Sequence, residues 1–137
     1  MRTLAVAFIV LAAITAVVLR GRRFGRWEVS GASMSPALAH GDWLMIERLR
    51  PGAALPGAGA IVLVADPRDP RRELVKRLVR LDARGLAWIE GDNSAYSTDS
   101  RDFGPVPVTS IAGIVRFRYW PPARAGRIPR RAAQTSA

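Results

Sequence analysis

The sequence predicts a mainly β domain behind one N-terminal apolar helix. Residues Thr3 to Leu19 form an uncharged apolar run, "TLAVAFIVLAAITAVVL". From Trp27 onward, short apolar and aromatic stretches alternate with Gly- and Pro-rich breaks, the punctuation of strands and turns. No segment after the apolar run has a helical period, and there is no internal repeat. A chain of 137 residues holds one compact domain. The expected division is a membrane anchor with its basic flank over residues 1–26, a β-rich domain over 27–120, and a disordered basic tail over 121–137.

Taken as helix, Thr3 to Leu19 is roughly 26 Å long at about 1.5 Å per residue, the short end of a membrane crossing. A cleaved signal peptide would end in small residues at an A-x-A-like site. This run ends "ITAVVLRGRR", so a retained single-pass anchor fits better. Arg2 precedes the run, whereas Arg20, Arg22, Arg23 and Arg26 follow it. Basic flanks tend to stay on the cytoplasmic side, which biases the following domain towards that face.

Strands are expected in order at "WEVS" from Trp27, at Trp43 to Leu49, at Ala60 to Asp66, and at Glu73 to Asp82. The loop from Pro51 to Gly59 separates the second and third. "PRDPRR" is read as a charged turn between the third and fourth. "ARG" then turns the chain into a hairpin with Leu86 to Glu90, and Ser110 to Trp120 is the last strand. Between them lies a long polar loop, Gly91 to Pro107. Long loops without structure of their own are uncommon in compact domains unless they serve a site. The tail from Pro121, rich in Pro, Ala and Arg, is expected to be disordered, with four arginines available to anionic lipid.

Composition narrows the chemistry. There is no cysteine, which excludes disulfides and thiolate metal sites, and the single histidine, His40, excludes a multi-histidine zinc site. His40 in "AHGD" reads as a solvated turn residue. The net charge is +10, and of 21 basic side chains Lys76 alone is lysine. Arginine stays charged at any usable pH, whereas a buried lysine can lose its proton. On a strand, Lys76 shares its face with Leu74 and Leu78. Apolar surroundings lower a lysine pKa by removing the solvation of its charged form, and a neutral amine is a usable general base.

A candidate nucleophile, or simply a surface turn that contains serines, lies in "VSGASMSPALAHGD", Val29 to Asp42. Gly31 tolerates conformations other residues resist, and Pro36 holds Ser35 extended. Small residues around Ser33 leave its hydroxyl accessible. The long loop, "GDNSAYSTDSRDFGPV", is either an ordinary polar loop or one in which a hydroxyl can hydrogen-bond the Lys76 amine while Asp99 and Arg101 pair and hold the loop.

Taken in order, "GASMSP", the "GD" at Gly41, the "KR" on a strand and "GDNSAYSTDSR" resemble the signal peptidase I family, membrane-anchored serine endopeptidases with a serine–lysine dyad. The resemblance runs from Val29 to Phe117. It implies a compact signal-peptidase-like β catalytic domain with Ser33 as nucleophile and Lys76 as general base. Ser97 would orient Lys76, Asp99 and Arg101 would support the loop, and Met34 would line the substrate cleft. It implies no cofactor and no metal. The partners it implies are membrane lipids and a precursor protein with small residues before the cut; nucleic acid is not expected.

Three positions depart from the family pattern. Ala37 stands where Thr is frequent, Gly31 where some members carry a serine that helps the oxyanion, and "LVRLDARG" where a Gly-Asp element often follows "KR". Within that family, the stretch from "GDN" to "GIVRFRYWPP" looks closer still to the nickel-type superoxide dismutase maturation proteases. The expected function is removal of N-terminal leader or signal segments. The alternatives are the narrower maturation role, or a non-catalytic basic β domain that binds anionic lipid or nucleic acid.

Overall fold

The computed structural model describes residues 2–21 and 23–131. Helix α1 spans Arg2–Gly21. Seven strands follow: β1 (Phe24–Glu28), β2 (Trp43–Arg48), β3 (Ile61–Asp66), β4 (Asp69–Leu81), β5 (Leu86–Glu90), β6 (Val106–Pro107) and β7 (Ile111–Trp120). All pair antiparallel in one sheet, in the order β1-β2-β7-β3-β4-β5-β6. The mainly β expectation therefore holds.

Two buried clusters form the core. One gathers Val29, Met34, Leu38, Leu44, Ile46, Ile61 and Leu63. The other gathers Val62, Val64, Leu78, Ala87, Ile89, Val106 and Ile111. Strand β3 supplies both, because successive side chains point to opposite faces and both faces of this strand are covered. β2 and β7 approach closely at Gly113, where a Cβ would stand 2.6 Å from the Ile46 side chain and 2.9 Å from the Glu47 carbonyl oxygen.

The Thr3 to Leu19 run is helical, and its described side chains, Ala5 to Val18, are exposed; Phe8 is 74% accessible. Among the described residues no helix is long and apolar enough to cross a membrane.

Four expectations need correction. β1 begins at Phe24, inside the segment assigned to the basic flank, because it pairs residue for residue with β2 from Phe24↔Glu47 to Glu28↔Trp43. "PRDPRR" is mostly strand: only Pro67 and Arg68 turn, and β4 starts at Asp69. Pro70 is tolerated there because this half of β4 has a neighbour on one side only; pairing with β5 begins at Arg77. The long loop contains a short helix, α2 (Ser100–Phe103), closed by a capping box between Asp99 and Asp102, and the two residues of β6.

The tail is the fourth. Residues 121–131, expected to be disordered, run back along the domain. Arg118 and Gly126 bridge through their backbones, Ile128 packs on the first core cluster, and the Pro129 carbonyl accepts from Arg77. Residues 132–137 lie outside the described residues.

Candidate active site

The loop carrying Ser33 is closed at its base by two backbone bonds. Val29 N–H donates to the Asp42 carbonyl at 2.8 Å, and Gly41 N–H to the Val29 carbonyl at 2.9 Å. Within it, Ser35 N–H donates to the Ala32 carbonyl and Leu38 N–H to the Met34 carbonyl. Gly31, at φ +91°, makes the turn that residues with a side chain rarely adopt. Met34 and Leu38 are buried in the core and hold the loop from below. Ser33 itself is half-buried. Its carbonyl accepts from Asn93 N–H at 2.9 Å, which ties this loop to the one from Gly91. His40 is exposed, and its Nδ1 accepts weakly from Gly31 N–H at 3.3 Å, a turn partner as expected.

Lys76 is 3% exposed on β4, opposite Val62 of β3. Its Nζ donates to Ser97 Oγ at 2.8 Å. Ser97 in turn donates its only hydroxyl hydrogen to Asp99 Oδ2 at 2.5 Å. Asp99 is fully buried and accepts further bonds from Gly91 N–H, Arg101 N–H, and the Arg101 guanidinium at 2.9 and 2.6 Å. Gly91 is required at this junction. A Cβ there would collide with the Ser97 side chain and stand 2.5 Å from the Ser33 carbonyl oxygen.

The electrostatics follow from these contacts. Burial pushes the Lys76 ammonium below its ordinary value. Asp99 opposes that shift, and the positive charges of Arg101, Arg68 and Arg72 reinforce it. Burial alone would raise Asp99, but the Arg101 guanidinium, the Ser97 hydroxyl and the backbone donors of Gly91 and Arg101 hold its carboxyl well below the usual carboxylate range.

Ser33, Met34 and Lys76 line one open cleft of about 410 Å³. The stretches Val29 to Met34 and Arg72 to Lys76 both line it, with Tyr96 and Thr98 from the polar loop. Of the six residues singled out in the sequence, Ser33, Met34 and Lys76 line this cleft, and Ser97, Asp99 and Arg101 form a hydrogen-bonded chain that starts at Lys76; among the described residues no hydrogen bond joins Lys76 to Ser33.

Two buried ionic centres escaped the sequence reading. Asp42 is 1% exposed and accepts from Ala39 N–H, from Arg118 at 3.0 Å and from Arg124. Arg118 also donates to the Ala37 carbonyl, so the last strand braces the Ser33 loop from outside. Arg77, next to Lys76 but on the other face, forms a two-pronged pair with Asp92 at 2.8 and 2.6 Å and donates to the carbonyls of Gly59 and Pro129. The "GD" dipeptides at Gly41 and Gly91 were the available signal for Asp42 and Asp92; their partners, 76 and 15 residues away, carried none.

A half-buried serine on a tight turn and a buried lysine thus line one cleft of this β domain. The family described as "Signal peptidase, peptidase S26" matches residues 2–82 and 83–120. The chain is 38% identical over 123 residues to the mitochondrial ATP-independent inner membrane protease subunit 1a of Arabidopsis thaliana, covering 74% of this chain and 73% of that one. It is 32% identical over 111 residues to the human mitochondrial inner membrane protease subunit 1, covering 67% of each. It is 30% identical over 122 residues to subunit 2 of Danio rerio, covering 74% and 67%. The chain belongs to the signal peptidase family, peptidase S26.

Proposed function

We propose that this chain is a membrane-anchored serine endopeptidase that removes N-terminal leader or signal segments from precursor proteins, with Ser33 as nucleophile and Lys76 as general base. One observation carries the reading: the only lysine of the chain is buried beside the Ser33 cleft and aimed by a hydroxyl that is itself fixed by a carboxylate. Because Ser97 gives its hydrogen to Asp99, it can only accept from Lys76. A neutral amine so held directs one N–H at Ser97 and keeps its lone pair for another hydroxyl on the cleft.

Lys76 Nζ takes the proton of Ser33 as Oγ adds to the scissile carbonyl. The tetrahedral intermediate collapses, the C–N bond breaks, and the proton on Lys76 leaves with the new amine. Lys76 then deprotonates a water that hydrolyses the acyl ester, and Ser33 is restored. With Gly31 where some relatives carry a serine, backbone N–H groups of the turn, that of Ser33 first, stabilise the oxyanion. The unpaired edge of β4 up to Lys76 offers the substrate an extended seat by strand addition, with small side chains next to the cut.

The exposed apolar side chains of α1 support the anchor. The arginines after it favour a domain on the cytoplasmic face. The anchor and the β-rich domain follow as divided, with the first boundary moved to Phe24 and residues 121–131 joined to the domain.

The test compares protein N-termini in cells carrying the parent chain, Ser33→Ala, or no copy. A set of precursors keeps its leaders in the last two strains and loses them in the first. Identical N-termini in all three overturn the proposal and leave a basic binding domain as the better reading. Carbonate extraction checks the anchor: the full chain stays in the membrane pellet, and recovery in the soluble fraction removes this part.

A further inference from the structure

The charged side chains on the cleft are not equivalent. Arg68 is held by both oxygens of the buried Asp66, at 2.9 and 2.8 Å, so its charge is offset. Glu73 is paired with Arg48 at 2.8 Å. Lys76 is biased towards its neutral form by burial. Arg72 is exposed on the cleft wall, and among the described residues no carboxylate pairs with it. Apart from Lys76, the cleft therefore has one positive side chain without a carboxylate partner among the described residues, that of Arg72.

Its place on the strand has a register. Arg72 is four residues before Lys76 on the same strand, and a strand advances about 3.3 Å per residue, so the two Cα atoms lie roughly 13 Å apart. Between them β4 has a free edge, since β5 pairs only from Arg77 onward. A peptide lying extended on this edge with its scissile bond at Lys76 brings its fourth residue, or a neighbour of it, to Arg72.

We propose that Arg72 is a specificity-determining residue that selects precursors carrying an aspartate or glutamate about four positions from the cut. The proposal rests on the cleft being the substrate site. An exposed cation with no internal partner attracts a substrate carboxylate and repels a lysine at the same position, so it discriminates by both terms. Arg68, already engaged with Asp66, does not substitute for it.

The experiment measures binding separately from cleavage. The full-length Ser33→Ala chain in detergent is titrated with fluorescent Ala-rich decapeptides bearing Asp, Gln or Lys at the fourth position before, or the fourth after, an Ala-Ala bond. On one side of the bond, the Asp peptide binds about fivefold tighter than the Gln peptide at low salt, and the Lys peptide binds more weakly than either. The difference shrinks at high salt. In Arg72→Glu the order reverses, and in Arg72→Gln it disappears. Equal affinities for all peptides in the parent background, or an order unchanged by Arg72→Glu, overturn the proposal. Cleavage of the same peptides by the Ser33 form is a second arm. If the charge preference holds in binding but cleavage is the same with and without Ser33, the dyad fails and the Arg72 assignment stands.

Discussion

Ser97 accepts from Lys76 at 2.8 Å with the one hydroxyl whose hydrogen is already committed to Asp99. The direction of that bond is therefore set by the carboxylate, two residues along the chain. Ser97→Ala removes the acceptor without adding bulk. Cleavage is expected to fall by about 10² through loss of orientation of the base, with the fold retained. Ser97→Thr, which keeps the hydroxyl, restores a substantial part of the rate. Cleavage kinetics of the three forms, with circular dichroism, check this; an unchanged rate in Ser97→Ala removes the orienting role.

The pH dependence follows from the burial of Lys76. Its folded pKa is pushed below the ordinary 10.5, and the neutral amine is the active form, so activity rises with pH through the folded value. In the same window the unfolded chain binds a proton that the folded chain has released. Stability therefore increases with pH up to about 10.5 and is reduced below it. Lys76→Met removes the buried amine. This variant is expected to be inactive yet more heat-stable than the parent at pH 7, with the difference shrinking as pH approaches 10.5. Thermal unfolding across that range measures it. A less stable Lys76→Met protein at pH 7 would contradict the account.

Asp99 has the opposite sign. Arg101, Ser97 and two backbone donors hold it charged, so its contribution to stability is full above about 3.8 and is lost as pH falls through its depressed folded value. Asp99→Asn keeps the shape but leaves the Arg101 guanidinium without its buried partner. A loss of about 3 kcal/mol is expected near neutral pH, shrinking as the solution is acidified. Denaturant titrations at pH 7 and pH 3 read both values, and a loss that does not depend on pH would argue against the ionic explanation.

β2, β3 and β5 are legible because alternation and breaker residues are local signals, and Leu86 to Glu90 matches its strand residue for residue, whereas Pro70 and its arginines hide the first four residues of β4. β1 was misplaced because its start is decided by pairing with Glu47 and Ile46, which its own residues do not announce. The tail was misread for the same reason: composition describes a segment in isolation, whereas Ile128 and the Pro129 carbonyl find partners on the folded domain. Within the site, the lone lysine and the polar loop point to a hydroxyl on Lys76 and to the Asp99–Arg101 pair, the family resemblance names Ser97, and the Ser97–Asp99 bond has no local signal. Nothing local pointed to the Asp42–Arg118 contact, which joins positions 76 apart. Nor did anything show that Arg72, among so many arginines, is the one left unpaired on the cleft.

The dyad itself is tested most sharply by its base. Lys76→Arg keeps a cation of similar reach but installs a group that does not deprotonate in proteins. If Lys76 only contributed charge or packing at the cleft, this exchange would leave cleavage near normal in a folded protein. As the base, its loss lowers cleavage by 10² or more while the strands persist. Ser33→Ala is expected to fall by a similar factor. The double variant discriminates further: two residues that act as one unit are not additive, so it should be hardly slower than either single variant. Two independent contributions would multiply instead. Rates for the parent, both single variants and the double variant on one precursor, with circular dichroism to confirm folding, separate these outcomes. A folded Lys76→Arg protein with near-parental activity would exclude the amine as proton acceptor, since no guanidinium at that position can take the proton from Ser33.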